Sequence, residues 1–285
     1  MIFVAIAAYC DPELTHTIWD CRTKASQPVV FGVVDQSDLP GYMGPDVRYV
    51  HVRPQHSHGL GWARSQCFAL YRGEDYLLQV DSHTLFEQDW DQTLIEMLSK
   101  LPAKPILSSY PMPYTIKDGQ RFPQVDRAIQ AMQIKDGEAL KPHDPQITFK
   151  SLRMESPVPV RSIHLAGGFV FTRGAFVEEV PYDPYLYFRD EQAMATRAFT
   201  HGWDIWNPPN VPLYHLYKQD DLARPVHWDP GQEHDGPANE IRARDRLVRL
   251  FYGAGLPSYG LGNARTLDDW ARFSGIDYRN RVLRT

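Results

Sequence analysis

The first 81 residues alternate short apolar runs with helical stretches, and this alternation restricts the fold more than any other feature of the chain. The run IFVAIAAY comes first, followed by a stretch from about Pro12 with Leu14, Ile18 and Cys21 at helical spacing. VVFGVVD then ends at Asp35, and VRYVHV follows. A glycine-bearing segment, HSHGLGWARSQCFALYRG, opens a helix with Trp62, Phe68 and Leu70 on its apolar side, and DYLLQV delivers Asp81. Strands alternating with helices predict an α/β fold in which a sheet, mainly parallel, is flanked by helices. Sheets of this kind bind ligands in the crevice outside the carboxyl ends of their strands. Asp11, Asp35 and Asp81 all fall at such ends.

At 285 residues and 43% hydrophobic content the chain can bury one large core, so we expect a single domain. Residues 1–110 carry the alternating strands and helices. Residues 111–160, rich in proline and weakly periodic, read as a loop-rich, substrate-facing insertion. Over residues 161–285 strands resume, with helices over DEQAMATRAFTHGW and over Ala238 to Tyr252. The net charge of -5 comes from interspersed acids and bases, which argues against duplex nucleic acid or an anionic membrane as partner. Three scattered cysteines make neither a disulfide framework nor a thiolate zinc site, and a reducing, cytoplasmic setting fits them best. The apolar opening stops at Tyr9, too short for a signal peptide core or a membrane span.

The stretch LLQVDSHTLF ends an apolar strand in Asp81, Ser82 and His83. Residues two apart on a strand project to one side, so Asp81 and His83 are expected to face the crevice together. VPLYHLY places His215 in a similar apolar frame, and the three together suit a divalent metal, manganese before magnesium. The pattern also fits a turn-capping aspartate beside an ordinary histidine. In GLGWAR, Gly59 and Gly61 allow close approach of the backbone to a ligand, and Arg64 could add a charged fork for a diphosphate; a flexible loop with a surface arginine is the alternative. Gly167 and Gly168 could let a sugar pass closely, or simply make a turn. Asp190 and Glu191 open a helix, where acids are favoured by the dipole in any case, or face a reacting centre. His51, His56 and His58 could form a second metal cluster, though a proline-containing loop accounts for them more simply.

Taken together, IFVAIAAYCDPEL, GLGWARSQCFALYRGEDYLLQVDSHTLFEQDWD, HLAGGFVF, FRDEQAMATRAFTHGWDIWNPPNVPLYHLY and the closing TLDDWARFSGIDY resemble the GlcNAc-transferase family typified by a cytoplasmic protein-hydroxyproline GlcNAc-transferase. They resemble the polypeptide GalNAc-transferases more distantly. The resemblance implies a GT-A fold, with residues 1–110 as a nucleotide-binding half and residues 161–285 as an acceptor-binding half, and an enzyme that moves a sugar, GlcNAc first, from a UDP donor to a hydroxyl acceptor with retention. It maps the DXD-like metal element onto Asp81, His83 and His215, and implies nucleoside contacts from Tyr9 and Asp11. Arg64 would lie near the diphosphate, and Gly167 and Gly168 near the donor sugar. Asp35 joins the expected substrate contacts, and Asp190 and Glu191 the catalytic groups. Cys10 stands where the family has arginine, and Arg189 where it has a small residue. The rival readings are a nucleotide-sugar hydrolase and a non-catalytic sugar-nucleotide or glycan-binding module. The acceptor could be protein hydroxyproline, a glycan, a lipid-linked saccharide or a hydroxylated nucleobase.

Overall fold

A computed structural model describes residues 1–41, 43–187, 190–219, 225 and 236–284. In chain order the first half holds β1 (Ile2–Tyr9), α1 (Leu14–Lys24), β2 (Val29–Gln36), β3 (Val47–Val52), α2 (Leu60–Ala69), β4 (Tyr76–Asp81), β5 (Thr84–Phe86), α3 (Trp90–Ser99) and β6 (Pro105–Ser108). Next come β7 (Met112–Lys117), β8 (Gln120–Pro123), β9 (Ile129–Ile134), β10 (Phe149–Met154), β11 (Val160–Arg161) and β12 (Phe169–Arg173). The last part holds α4 (Phe176–Glu179), α5 (Asp190–Thr200), β13 (Asp204–Asn207), β14 (Leu213–His215), α6 (Gly236–Tyr252) and α7 (Leu267–Ser274).

Eight strands form one mixed sheet in the order β11-β13-β6-β12-β4-β1-β2-β3. β3, β2, β1 and β4 are parallel, as the alternation of apolar runs and helices predicts, whereas β12 runs antiparallel between β4 and β6. β1 reads as a continuous apolar run because both its faces are covered. Leu14, Ile18 and Cys21 of α1 and Trp90, Leu94 and Leu98 of α3 bury against one side. Ala63, Cys67 and Phe68 of α2, with α5, α6 and α7, cover the other. Among the described residues no helix is long and apolar enough to cross a membrane.

A second sheet, ordered β5-β14-β7-β8, stands beyond the carboxyl end of β4. Here the structure departs from the loop-rich reading of residues 111–160. That segment makes two antiparallel hairpins, β7 with β8 and β9 with β10. Their strands are largely half-buried or exposed, so they lack the apolar signal of the central strands.

Candidate active site

Asp81 closes β4 in the large sheet, and the chain then steps across Ser82 and His83 into β5 of the small sheet. β14 pairs antiparallel with β5, with His215 opposite Thr84, and the Leu216 amide donates to the His83 carbonyl at 3.0 Å. The strand pairing therefore brings the second histidine to the first. Asp81 and His83 converge because of the step between sheets, not because they alternate along one strand.

The His215 Nε2 atom lies 3.0 Å from Asp81 Oδ2 and 3.0 Å from His83 Nε2. Among the described residues these three form the one group able to offer a metal ion ligand atoms all within 4.8 Å of one another. His51, His56 and His58 are not among such groups, in keeping with the simpler reading as a proline-containing loop, and His51 bonds the Ser37 carbonyl at 2.8 Å. On the far side of its ring, His83 Nδ1 donates to Asp11 Oδ2 at 2.6 Å. That bond assigns the proton to Nδ1 and leaves Nε2 with a lone pair aimed at His215 and Asp81. Electron pairs from two imidazoles and a carboxylate then crowd one point, and a proton can bridge only one pair of them at a time. The donor set fits a divalent cation, and the Asp11–His83 bond is of the kind that orients a histidine toward a metal.

Electrostatics supports the same reading. Burial alone would raise the Asp81 carboxyl, but the hydrogen bond and charge of His215, with Arg64 and His83 nearby, hold it well below the usual carboxylate range. Asp11 is also held low: burial is outweighed by His83, by the Ser82 hydroxyl at 2.7 Å and by the Glu13 amide at 2.9 Å. The site opens into a cleft of about 320 Å3 lined by Ala7, Ala8, Tyr9, Leu60, Tyr217 and Lys218 among others. It lies at the carboxyl ends of β1 and β4, where an open α/β sheet binds its ligand.

A family profile described as "Glycosyltransferase (GlcNAc)" matches residues 36–252, well over half of the sequence. The chain belongs to this glycosyltransferase family. No curated protein matches it. Among solved structures, that of GalNAc-T7 with UDP, GalNAc and Mn2+ is 16% identical and superposes with a TM-score of 0.60. The alignment covers 99% of this chain and 51% of that one, so the glycosyltransferase spans about half the length of GalNAc-T7. Two weaker likenesses are to S. aureus TarS in complex with UDP and to the mannosyltransferase PcManGT from Pyrobaculum calidifontis in complex with GDP-Man and Mn2+. The first has 13% identity, 76% and 60% coverage and a TM-score of 0.48; the second has 16% identity, 77% and 58% coverage and a TM-score of 0.49. The fold is GT-A.

The remaining expected site residues of the glycosyltransferase take several positions. Tyr9 and Asp11 both line the cleft, and the Asp11 carboxylate also bonds His83, Ser82 and the Glu13 amide. Asp35 is buried and accepts from the Tyr49 hydroxyl at 2.6 Å, outside the cleft lining. Arg64 is 5% exposed and also absent from the lining: Nη1 bonds Asp190 Oδ2 at 2.8 Å and Nη2 approaches Asp81 Oδ1 at 3.4 Å. It thus meets the cleft through Asp81, not as a fork open to a diphosphate. Asp190 is fully buried as the counter-ion of Arg64. Burial raises its carboxyl, and Arg64 only partly offsets this. Glu191 keeps 30% of its side chain exposed and is the acid of the pair left available. Arg189 lies outside the described residues.

Gly59 lines the cleft, and three other glycines face neighbouring groups of the chain. A Cβ on Gly167 would sit 2.3 Å from Arg64 Nη1, and one on Gly168 would sit 2.8 Å from Asp81 Oδ2, so their bareness admits these side chains. Gly61 likewise faces the Leu186 carbonyl rather than a ligand, since its Cβ would fall 1.8 Å from that oxygen. Lys218, His164 and Tyr217 escaped the sequence reading. The spacing of Tyr217 and Lys218 behind His215 was an available signal: Tyr217 packs its ring 4.4 Å from that of His215, and Lys218 is a cation on the cleft wall. His164 had no such signal, because its partner Glu191 is 27 residues away.

Proposed function

We propose that the protein is a metal-dependent, retaining glycosyltransferase that moves a sugar, N-acetylglucosamine first, from a UDP donor to a hydroxyl acceptor. The observation that carries this reading is the convergence of Asp81, His83 and His215 on one point of the cleft wall. The family description names GlcNAc, and GalNAc-T7, which shares the fold, was solved with UDP, GalNAc and Mn2+. Asp81, His83 and His215 would hold the cation, manganese by preference over magnesium because two of the three ligands are nitrogen. When bound, that ion supplies positive charge against the departing diphosphate.

The chain's own groups do the rest. Ala7, Ala8 and Leu60 offer an apolar wall to the nucleoside with Tyr9 at its side, and Lys218 adds a mobile cation for a phosphate oxygen. Asp11 and Arg64 keep His83 and Asp81 aimed at the ion. Glu191 is the carboxylate left to receive a hydrogen bond from a sugar or acceptor hydroxyl. Because Asp190 is buried against Arg64, and both Glu191 oxygens already accept hydrogen bonds, attack from the leaving-group face is favoured over a covalent glycosyl intermediate. Three free thiols, two of them buried, suit a reducing, cytoplasmic compartment. The acceptor is a hydroxyl on protein hydroxyproline or another hydroxylated biomolecule.

The test is UDP release from a panel of UDP-sugars with manganese, followed by mass spectrometry of candidate acceptors. Asp81→Ala is expected to fold and to lose at least about 10²-fold in turnover, the scale of removing a preorganised electrostatic group. Near-normal turnover in that variant would remove the metal assignment. UDP release that no hydroxyl acceptor accelerates would make the protein a nucleotide-sugar hydrolase instead.

A further inference from the structure

His164 lies between β11 and β12, 3% exposed, its ring stacked on that of Phe149 from β10 with centroids 3.9 Å apart and planes 16° from parallel. Stacking alone would be met as well by a phenylalanine. Instead the position holds an imidazole whose Nδ1 is buried with no hydrogen-bond partner among the described residues. A buried polar atom left unmade is unfavourable and calls for a reason. The one polar contact of the ring is Nε2 to Glu191 Oε2 at 3.3 Å. With no acceptor opposite Nδ1, the ring carries its proton on Nε2 and donates it to the carboxylate. The other Glu191 oxygen takes the Gly167 amide at 2.6 Å. One donor on each oxygen fixes the plane of the carboxylate.

We infer that His164 is a positioning residue, holding the Glu191 carboxylate, whose side chain keeps 30% of its surface exposed, in the orientation that meets a hydroxyl of the acceptor or the donor sugar. The role of the hydroxyl rests on the transferase reading above; the hold on the carboxylate does not. Glu191 sits among His164, Arg64, Asp190, Tyr110, Tyr182 and Tyr217, the titratable groups among the described residues whose charge interacts with its own. Burial would raise its pKa, yet His164, then Arg64, then the Gly167 amide bring it below the ordinary glutamate value. The imidazole is thus the first of the groups that keep Glu191 an anion. The neighbouring residue secures the same stretch of chain, since Gln192 accepts from the Ile147 amide at 3.1 Å and donates to the Pro145 carbonyl at 2.8 Å. The segment that brings in Phe149 is therefore tied to the start of α5 on both sides of the imidazole.

The experiment compares the wild-type protein with His164→Phe, which keeps the stack and drops the donor, and His164→Gln, which keeps an N–H near Nε2. The side-chain carboxyl of Glu191 is titrated by 13C NMR with no donor present, and UDP release from UDP-GlcNAc with Mn2+ is followed against pH. We expect the Glu191 titration to move up in His164→Phe by about one unit, a tenfold change in its protonation equilibrium, and to return most of the way in His164→Gln. Turnover should fall tenfold or more in His164→Phe, its acid limb moving up with the carboxyl, while KM for UDP-GlcNAc stays within twofold. An unmoved Glu191 titration in His164→Phe overturns the assignment. So does a loss of turnover matched by a loss of Mn2+ affinity, which would make His164 merely structural. Should His164→Phe not fold, His164→Leu takes its place as the donor-free variant: a Glu191 titration that moves up supports the hold, and an unmoved one refutes it. If the wild type releases no UDP at all, the transferase reading fails and the titration still judges His164.

Discussion

Replacing Asp11 with Asn separates the two roles this residue could have. In the structure Oδ2 accepts from His83 Nδ1 at 2.6 Å and from Ser82 Oγ at 2.7 Å, while Oδ1 accepts from the Glu13 amide at 2.9 Å. An asparagine has one oxygen for these two sides. If the oxygen stays with the Glu13 amide, the new NH2 faces His83 Nδ1 and can be accommodated only by the other tautomer, which puts the proton on Nε2 where a metal must bind. If the oxygen turns to His83, the Glu13 amide is left without its acceptor. Either way a charge-assisted bond worth about 1.5–3 kcal/mol is lost. At 1.4 kcal/mol per decade this corresponds to about 10- to 100-fold in manganese affinity, the range seen when outer partners of metal-binding histidines are changed. The assay is calorimetric titration of Mn2+ into the free protein, with thermal melting as the check on folding. A manganese affinity within twofold of wild type would refute the orienting role. Weaker UDP binding in metal-free buffer, at unchanged manganese affinity, would return Asp11 to the nucleoside.

Two other substitutions probe the groups behind the site. Arg64→Met strands the fully buried Asp190 and is expected to cost about 3–5 kcal/mol in denaturant unfolding, whereas Arg64→Met with Asp190→Leu should recover most of that loss and still bind manganese about tenfold more weakly, because Asp81 loses a partner; a double variant with full manganese affinity would show that Arg64 serves stability alone. Gly168→Ala places a methyl 2.8 Å from Asp81 Oδ2 and 3.6 Å from His215 Cδ2, so it should reduce stability by about 1–3 kcal/mol and displace the carboxylate, read as weaker manganese binding in the same calorimetric titration. Unchanged affinity there would mean that the Asp81 side chain can give way without leaving the site.

The central strands were legible because burial on both faces writes a continuous apolar run, and every such run in the first third became a strand of the large sheet. The hairpins of residues 111–160 were not, since a strand exposed on one or both faces needs no apolar pattern to pair. Asp81, His83 and His215 were readable as polar groups in apolar frames, but the geometry that unites them depends on β5 pairing with β14, more than 120 residues apart in the case of Thr84 and His215. The bonds behind them were invisible for the same reason: His83 and Asp11 are separated by 72 positions, Arg64 and Asp190 by 126.

The acidic step at the start of α5 shows where local reading must stop. Asp190 and Glu191 are adjacent, of one charge and at one helix terminus, so sequence assigns them a common purpose. Successive helical residues point about 100° apart, and here that turn puts one carboxylate into the core against Arg64 and leaves the other partly exposed between His164 and the Gly167 amide. Environment then sets the chemistry: the buried acid is raised and consumed by its ion pair, while the half-exposed one is lowered and fixed by two donors. A pair of like acids driven apart in this way acquires two different chemistries within one turn of helix, and only the placement of their partners reveals which is which.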